Sequence, residues 1–317
     1  MSMLCLTESD SSGRILSRQK EEMSMKSKQK EALTGIAYVL PSFILIMVFS
    51  IIPIIMNVYF SFTKYNIMQP AQFVGMKNYA RMLKDSYIWA SLKNTATFTL
   101  ITVPVQTMLS LLFASIIAEQ FRNKFGNFIK SSLFIPVIAS AILVGTLWSI
   151  LLSPTGVVNN ILGLLGIPSV NWLGGKNTSL ISICITSIWK NVGYFLVIYY
   201  AGILNIPRSL YEAAEVDGAS PVQKFMYITL PCLSSVTFLV VTLGTIWSFQ
   251  VFDLVYTMTG GGPGMSTITL VLTIYNTAFK EYNMGYASAI ALLMFVFVLL
   301  ISFLQKLLLK GKGEEEV

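Results

Sequence analysis

The chain has no histidine, only three cysteines in 317 residues, and charge at 12% of its positions, about half the share carried by a soluble domain. Each shortage excludes something. Without histidine the commonest metal ligand, general base and proton-relay residue are missing, so no catalytic residues and no metal site are expected. Cys5, Cys184 and Cys232 show no paired spacing, which argues against disulfides and zinc. Cys184 and Cys232 fall in or beside apolar segments, where a thiol reads as a small core residue.

What fills the chain is apolar: 54% hydrophobic residues and a mean hydropathy of +0.68. A membrane-spanning helix needs about 20 mainly apolar residues. Six windows meet this: Ile36 to Phe62, Thr95 to Ala118, Ser131 to Leu152, Thr178 to Leu204, Leu233 to Phe252 and Tyr286 to Leu304. The chain therefore reads as an all-α, polytopic protein of the lipid bilayer. Its expected organisation is a tail over residues 1–34, a six-helix domain over 35–310 and a second tail over 311–317. The first 30 residues carry six Lys/Arg and no sustained apolar run, so they read as a solvated tail and not as a signal peptide. Met1, Met23 and Met25 each offer a start. Pro41, Pro53, Pro104 and Pro136 lie in or at the edges of windows and predict kinked helices.

The net charge of +7 invites a nucleic-acid reading, but its distribution argues for topology. Alternate segments counted from the N-terminal tail hold 14 Lys/Arg and the opposite set 7. By the positive-inside rule both termini are then cytoplasmic, in a cell membrane crossed many times.

Among the loops, "SPTGVVNNILGLLGIPSVNWLGGKN" has a short apolar centre, Val157 to Leu165, read as an amphipathic helix at the outer surface. "TGGGPGMST", Thr259 to Thr267, has the glycines of a phosphate-cradling loop without its lysine and reads as a tight turn.

One cytoplasmic stretch is out of character with the rest. In "YEAAEVDGASPVQKFMYITLP", Tyr211 to Pro231, Leu210, Ala213, Ala214 and Asp217 share a helical face begun by Pro207. Gly218 ends that helix where positive φ is cheapest. Ser220, Pro221 and Gln223 form a capping box for a second helix, closed by Leu230 and Pro231. Arg208 to Lys224 carries three acids against two bases, which would repel DNA phosphate instead of releasing counterions. Connections between helices usually take 2 to 8 residues, so a docking element for a cytoplasmic protein is the better reading than a plain loop.

Within the windows, Lys190 is the one charge, at a cost of about 2.5 to 3.5 kcal/mol on insertion scales. Ser187, Lys190, Asn191 and Tyr194 share a helical face, as do Gly244, Trp247, Ser248 and Val251. Polar groups beside aromatic rings suit a sugar, whose hydroxyls take hydrogen bonds and whose C–H face lies on a ring. Bland readings stand beside this: Lys190 reaching the outer interface or pairing with Asp253, Trp247 as packing, Tyr199 and Tyr200 as interface-belt aromatics, and Glu119 as a solvated interfacial acid.

The spacing Glu212-Ala213-Ala214, three residues, Gly218, nine residues, Ile228, one residue, Leu230-Pro231 resembles the EAA signature of binding-protein-dependent ABC importer permeases without a departure. "FVGMKNYARML", "AGILNIPRSLYEAAEVDGAS" and "VYTMTGGGPGMSTITL" are similar to its carbohydrate branch, the maltose and glycerol-3-phosphate type. The resemblance implies a type I importer permease fold and coupling helices at 207–231 that enter a cleft on an ATPase subunit. Glu212 would pair there with a basic residue. It also implies a second homologous permease subunit, an ABC ATPase dimer that uses the ATP, and an extracytoplasmic solute-binding protein, with Asn159 to Gly166 and Gly260 to Gly264 as candidate docking loops. The chain itself would need no cofactor and bind no nucleic acid, and in maltose-type permeases the fourth and fifth spans contribute to the sugar site. An ion-coupled secondary transporter is the rival reading; it would need ionisable residues in the spans, and five of six windows have none. A membrane-embedded enzyme would need a nucleophile and a base within a span.

Overall fold

The computed structural model describes residues 33 to 309 apart from Arg122; both tails and the candidate start sites lie outside that range, save Leu33 and Thr34. Two compact units are present, residues 1–59 and residues 60–317. The described part of the first is helix α1, Leu33–Ser61, whose last residues enter the second unit. At Met47–Ile51 the helix widens to a π turn. Pro53 stands two residues on, and having no N–H for the Phe49 carbonyl it favours the wider turn.

In the second unit a two-stranded antiparallel hairpin comes first, β1 Thr63–Lys64 and β2 Gln72–Phe73. Asn78 in helix α2, Lys77–Lys84, donates to the Ser61 and Thr63 carbonyls at 2.8 and 2.9 Å and fastens the hairpin. Helix α3, Ser86–Gln120, is capped by Asp85, which accepts from the Tyr87 N–H at 2.9 Å. Its 35 residues run about 52 Å, well beyond the Thr95–Ala118 window, because the polar first turns are not legible as apolar sequence. The buried hydroxyls of Thr95, Thr99 and Thr102 bond to carbonyls four residues back. In this way a polar stripe is satisfied inside its own helix, as lipid surroundings require.

The third window is not one helix. Helices α4, Lys124–Ile138, and α5, Ala141–Leu151, meet at 99°, with Ala139 and Ser140 extended between them. Pro136 lies one turn upstream; the kink expected there is a full break. Helix α6, Val157–Leu164, is the short helix expected in the next loop. Helix α7, Ser179–Leu204, packs along α3. Lipid supplies no hydrophobic drive between helices, so close packing and bonds such as Ser110 Oγ to the Val192 carbonyl, 2.9 Å, hold the pair, at about 0.6 to 2 kcal/mol per bond.

Two short helices follow, α8, Arg208–Val216, and α9, Pro221–Cys232. The latter contains a π turn, Phe225–Thr229, again just ahead of a proline, Pro231. A 70° bend separates α9 from α10, Ser234–Phe249, so the fifth window is also part of a bent pair, hinged at the buried Leu233. Helix α11, Asp253–Met258, helix α12, Leu270–Tyr275, with a third π turn at Asn276–Lys280, and helix α13, Met284–Leu309, complete the chain. Among the described residues four helices are long and apolar enough to span a membrane, and six spans result when each bent pair counts as one.

The buried side chains form three clusters. One gathers Phe98, Ile183, Cys184, Val255 and Leu272. Another joins Ala114, Phe195, Leu196, Tyr199 and Val240, with Tyr211, Ile228 and Leu230 packed against it. The third surrounds Met82, Ile88, Leu270 and Tyr286. Tyr199 is fully buried in the second cluster and is not an interface-belt aromatic. Tyr200 instead carries the Lys130 ammonium 3.8 Å above its ring. Cys184 is a core residue as expected, whereas Cys232, at the α9 terminus, is exposed.

Candidate functional site

The polar stretch is the two-helix knob its residues dictate. Helix α8 ends at Gly218 with φ of 71°. The Ala219 N–H reaches the Ala214 carbonyl at 2.9 Å and the Gly218 N–H the Glu215 carbonyl at 3.1 Å, which is the Schellman arrangement. A side chain at 218 would be held in the left-handed region at a cost of about 1 to 2 kcal/mol. Ser220 and Gln223 then exchange the two bonds of the capping box: the Ser220 N–H donates to Gln223 Oε1 at 2.8 Å and the Gln223 N–H to Ser220 Oγ at 3.3 Å.

Two further contacts lock the helices to each other. Lys224 Nζ lies 2.7 Å from Glu215 Oε1, and the Tyr211 and Thr229 hydroxyls are 2.8 Å apart.

The signature residues divide by position. Glu212 and Ala213 are exposed, and among the described residues Glu212 has no hydrogen bond or ion pair. Ala214 is half-buried and Gly218 makes the turn. Ile228 and Leu230 face inward to the second cluster, and Pro231 leads into the bend. Val216, Val222 and Tyr227 leave an apolar surface around Glu212's helix pair open. A cavity of about 330 Å³ lies behind the knob, lined by Glu119 of α3 together with Arg208, Tyr211, Glu215 and Lys224. Glu119 thus stands at the knob.

A second constellation forms mid-bundle. Ser187, Lys190, Asn191, Gly244, Trp247, Ser248 and Val251 line a single cavity of about 190 Å³. Both helical faces read from the sequence meet there. Tyr194 is the exception, standing behind Trp247 with ring centroids 4.9 Å apart. Asn191 Nδ2 approaches Ser187 Oγ at 3.4 Å, and the Ser248 and Thr102 hydroxyls are 3.1 Å apart.

Lys190 does not hydrogen-bond Asp253; its Nζ donates to the Val137 carbonyl at 3.2 Å. The break after α4 leaves that helix's last carbonyls without partners in an apolar setting, and a cation at a helix C-terminus meets both the orphan oxygen and the dipole. The burial cost of Lys190 is offset there, and two of its three donors remain for the cavity.

Sequence reasoning missed Phe98 and Gln106, which line the same cavity, and named Asp253, also on its wall, only as a partner for Lys190. Gln106 is buried, and a Cβ at position 244 would lie 2.7 Å from its Nε2, so Gly244 is what admits this amide. Its signal was an amide among the hydroxyls of an uncharged window, invisible to a search for charge.

Of the outer loops, Asn159 is not a docking residue. It is buried, donating to the Ser153 and Val170 carbonyls and accepting from the Val170 N–H and Trp172 Nε1. Asn160, Ile161 and Gly163 to Gly166 are the exposed residues of that segment. Thr259 to Thr267 is the tight turn expected, its two end hydroxyls 2.7 Å apart.

Residues 94–313 match the family described as binding-protein-dependent transport system inner membrane component. The chain is similar to the trehalose/maltose transport system permease protein MalF of Thermococcus litoralis, 35% identical over 87% of this chain and 94% of that one. It is also similar to the sulfoquinovosyl glycerol transport system permease protein SmoG of Agrobacterium fabrum, 35% identical over 84% and 86%. A solved bacterial ABC transporter that imports the acidic polysaccharide alginate shares the fold, with a TM-score of 0.80 at 24% identity, covering 90% of this chain and 98% of that one.

Proposed function

The chain belongs to the family of binding-protein-dependent transport system inner membrane components, and on that premise we propose that it is the membrane-spanning permease subunit of an ATP-driven ABC importer for carbohydrates. The observation that supports this most directly is the knob: a rigid helix pair, exposed at Glu212, whose inner residues Ile228 and Leu230 pack on the spans. Such a piece is built to receive force from outside the chain. Glu212 offers an unpaired acid to a basic residue of an ATPase subunit, giving orientation more than affinity, and the open apolar surface around it supplies contact area.

The mid-bundle cavity is the chain's share of the sugar path. Lys190, Asn191, Ser187, Ser248 and Gln106 provide hydrogen bonds, and Trp247, backed by Tyr194, provides a ring. Both relatives named above carry a sugar or a glycoside in their names. At about 190 Å³ the cavity is smaller than the roughly 300 to 1,000 Å³ of ordinary ligand sites, so a second homologous permease subunit completes it. ATP is consumed by a partner ATPase dimer, a solute-binding protein delivers the sugar from outside, and this subunit has no catalytic site or cofactor of its own. Both termini are cytoplasmic, by the positive charge on the loops.

The test is reconstitution. Complete complexes in proteoliposomes should take up sugar only with ATP and the binding protein; uphill uptake by this polypeptide alone would overturn the reading.

A further inference from the structure

A cavity at the other end of α3 from the knob is used by nothing described so far. It has a volume of about 430 Å³ and lies among α2, the first turn of α3, the π turn after α12 and the start of α13. Along α3, Tyr87 on its wall and Phe98 on the wall of the mid-bundle cavity are 11 residues apart, about 16 Å of helix. It is therefore a separate site, and unlike the mid-bundle cavity its volume is within the range of small-molecule sites.

Part of its wall is fixed in advance. Tyr286 Oη donates to Asp85 Oδ2 at 2.8 Å, Asp85 Oδ1 is engaged by the Tyr87 N–H, and the Arg81 guanidinium lies 4.1 Å from the Tyr286 ring centre. The remaining groups are not so engaged. Asn276 Oδ1 is buried and has no hydrogen-bond partner. Lys280 is exposed, has no ion pair among the described residues, and keeps its ammonium 5.7 Å from the Tyr256 ring centre.

The local backbone sets these two apart as well. Asn276 and Lys280 are the first and last residues of the third π turn. The other two π turns stand just ahead of Pro53 and Pro231, which account for them; no proline follows this one. Wide turns without such a cause are common at functional sites.

We propose that this cavity is a second binding site, for a neutral polyhydroxylated small molecule, a sugar or polyol, held apart from the translocation path. Charge and donor chemistry choose the ligand. Arg81 and Lys280 are balanced by Asp85 and Glu281 around the cavity, which favours no net charge. Asn276 brings a side-chain amide to the wall, while Arg81 and Lys280 need acceptors. A hydroxyl is donor and acceptor at once, and several hydroxyls on one frame suit all three residues. Thr277, also on the wall, adds a hydroxyl of its own. By the loop charges the site opens on the outer side, where arriving sugar is met. Its existence rests on the cavity's own residues, and only the choice of sugars below rests on the transport reading.

The test uses the complete importer in nanodiscs without the solute-binding protein, and equilibrium binding of radiolabelled maltose and trehalose. Binding is expected in the unaltered complex and in Trp247→Ala. Affinity should fall by tenfold or more in Asn276→Leu and severalfold in Lys280→Ala. The lysine is exposed, so the second variant decides the matter if the first fails to assemble. Absence of binding of both sugars to the unaltered complex overturns the proposal, as does binding that Trp247→Ala abolishes and both other variants keep. Binding that depends on Asn276, in complexes that transport neither sugar, would retain this site and remove the transport reading. Normal ATP-driven uptake with no Asn276-dependent binding would do the reverse.

Discussion

Lys224 Nζ and Glu215 Oε1 stand 2.7 Å apart across the turn at Gly218, one residue in each helix of the knob. The pair fixes the angle at which Glu212 is presented. Glu215 is two-thirds exposed, so the bond itself is worth only about 0.2 to 1 kcal/mol. Lys224→Glu should slow ATP-dependent uptake severalfold without loss of assembly, and the exchanged pair Glu215→Lys with Lys224→Glu should recover most of it, as measured in proteoliposomes.

Among the described residues Glu212 has no partner, so its replacement removes nothing from the described fold. Glu212→Lys should abolish ATP-dependent uptake while leaving membrane insertion and expression intact. Normal transport in that variant would count heavily against the coupling role.

Gly218 occupies φ of 71° and has open space around the position of a Cβ. The cost of substitution is therefore conformational alone, about 1 to 2 kcal/mol for most residues and less for asparagine. Gly218→Val should lower uptake markedly, with Gly218→Asn close to the unaltered protein. Equal loss in both would show that contact, and not backbone conformation, matters at this position.

Gly244→Ala places a methyl 2.7 Å from Gln106 Nε2. The end of a glutamine side chain can move, so the amide should be driven into the mid-bundle cavity at little cost in stability. Sugar uptake should show a raised KM with the thermal midpoint of the complex nearly unchanged; a large drop in that midpoint with KM intact would contradict the assignment of this face to the path.

Lys190 performs two tasks, one for the fold and one for the cavity. Lys190→Met keeps the volume but leaves the Val137 carbonyl without its donor, a loss of about 1 to 3 kcal/mol. Thermal unfolding of the purified complex should fall by several degrees, and uptake should fall further than that loss explains. An unchanged midpoint would mean that the carbonyl finds another donor.

The knob was legible almost residue by residue, because each of its devices is local: a positive-φ glycine, a capping box and a proline act within a few residues of themselves. The two helical faces of the mid-bundle cavity were legible as faces by their spacing, but Tyr194 belongs to the face and not to the wall, since spacing says nothing about which neighbour intervenes. Depth was harder to read. Tyr199 and Tyr200 look alike in sequence; one is interior and the other lies under Lys130, and only the packing of α3 and α10 decides that. The 99° break after Ile138 escaped for a related reason. Pro136 marks a weakened helix, but the contact that meets its freed end comes from Lys190, 53 positions on from the Val137 carbonyl it bonds. Asn159 was misplaced because an asparagine in a connecting segment signals exposure until Ser153, Val170 and Trp172, which it bonds, are seen around it.

Helix α3 packs beside the knob at Ala118, and its cap Asp85 and first-turn Tyr87 line the distant polar cavity. A strut of about 52 Å with no break along it is a lever. Rocking it by a few degrees about the Ser110–Val192 contact would carry the Ser86 tip, about 36 Å away, by roughly 2.5 Å and the Gln120 tip, about 15 Å away, by roughly 1 Å in the opposite direction. Any molecule lodged beside Asp85 would then resist or favour the stroke, and the sugar supply outside could set the pace of the motor inside without touching it.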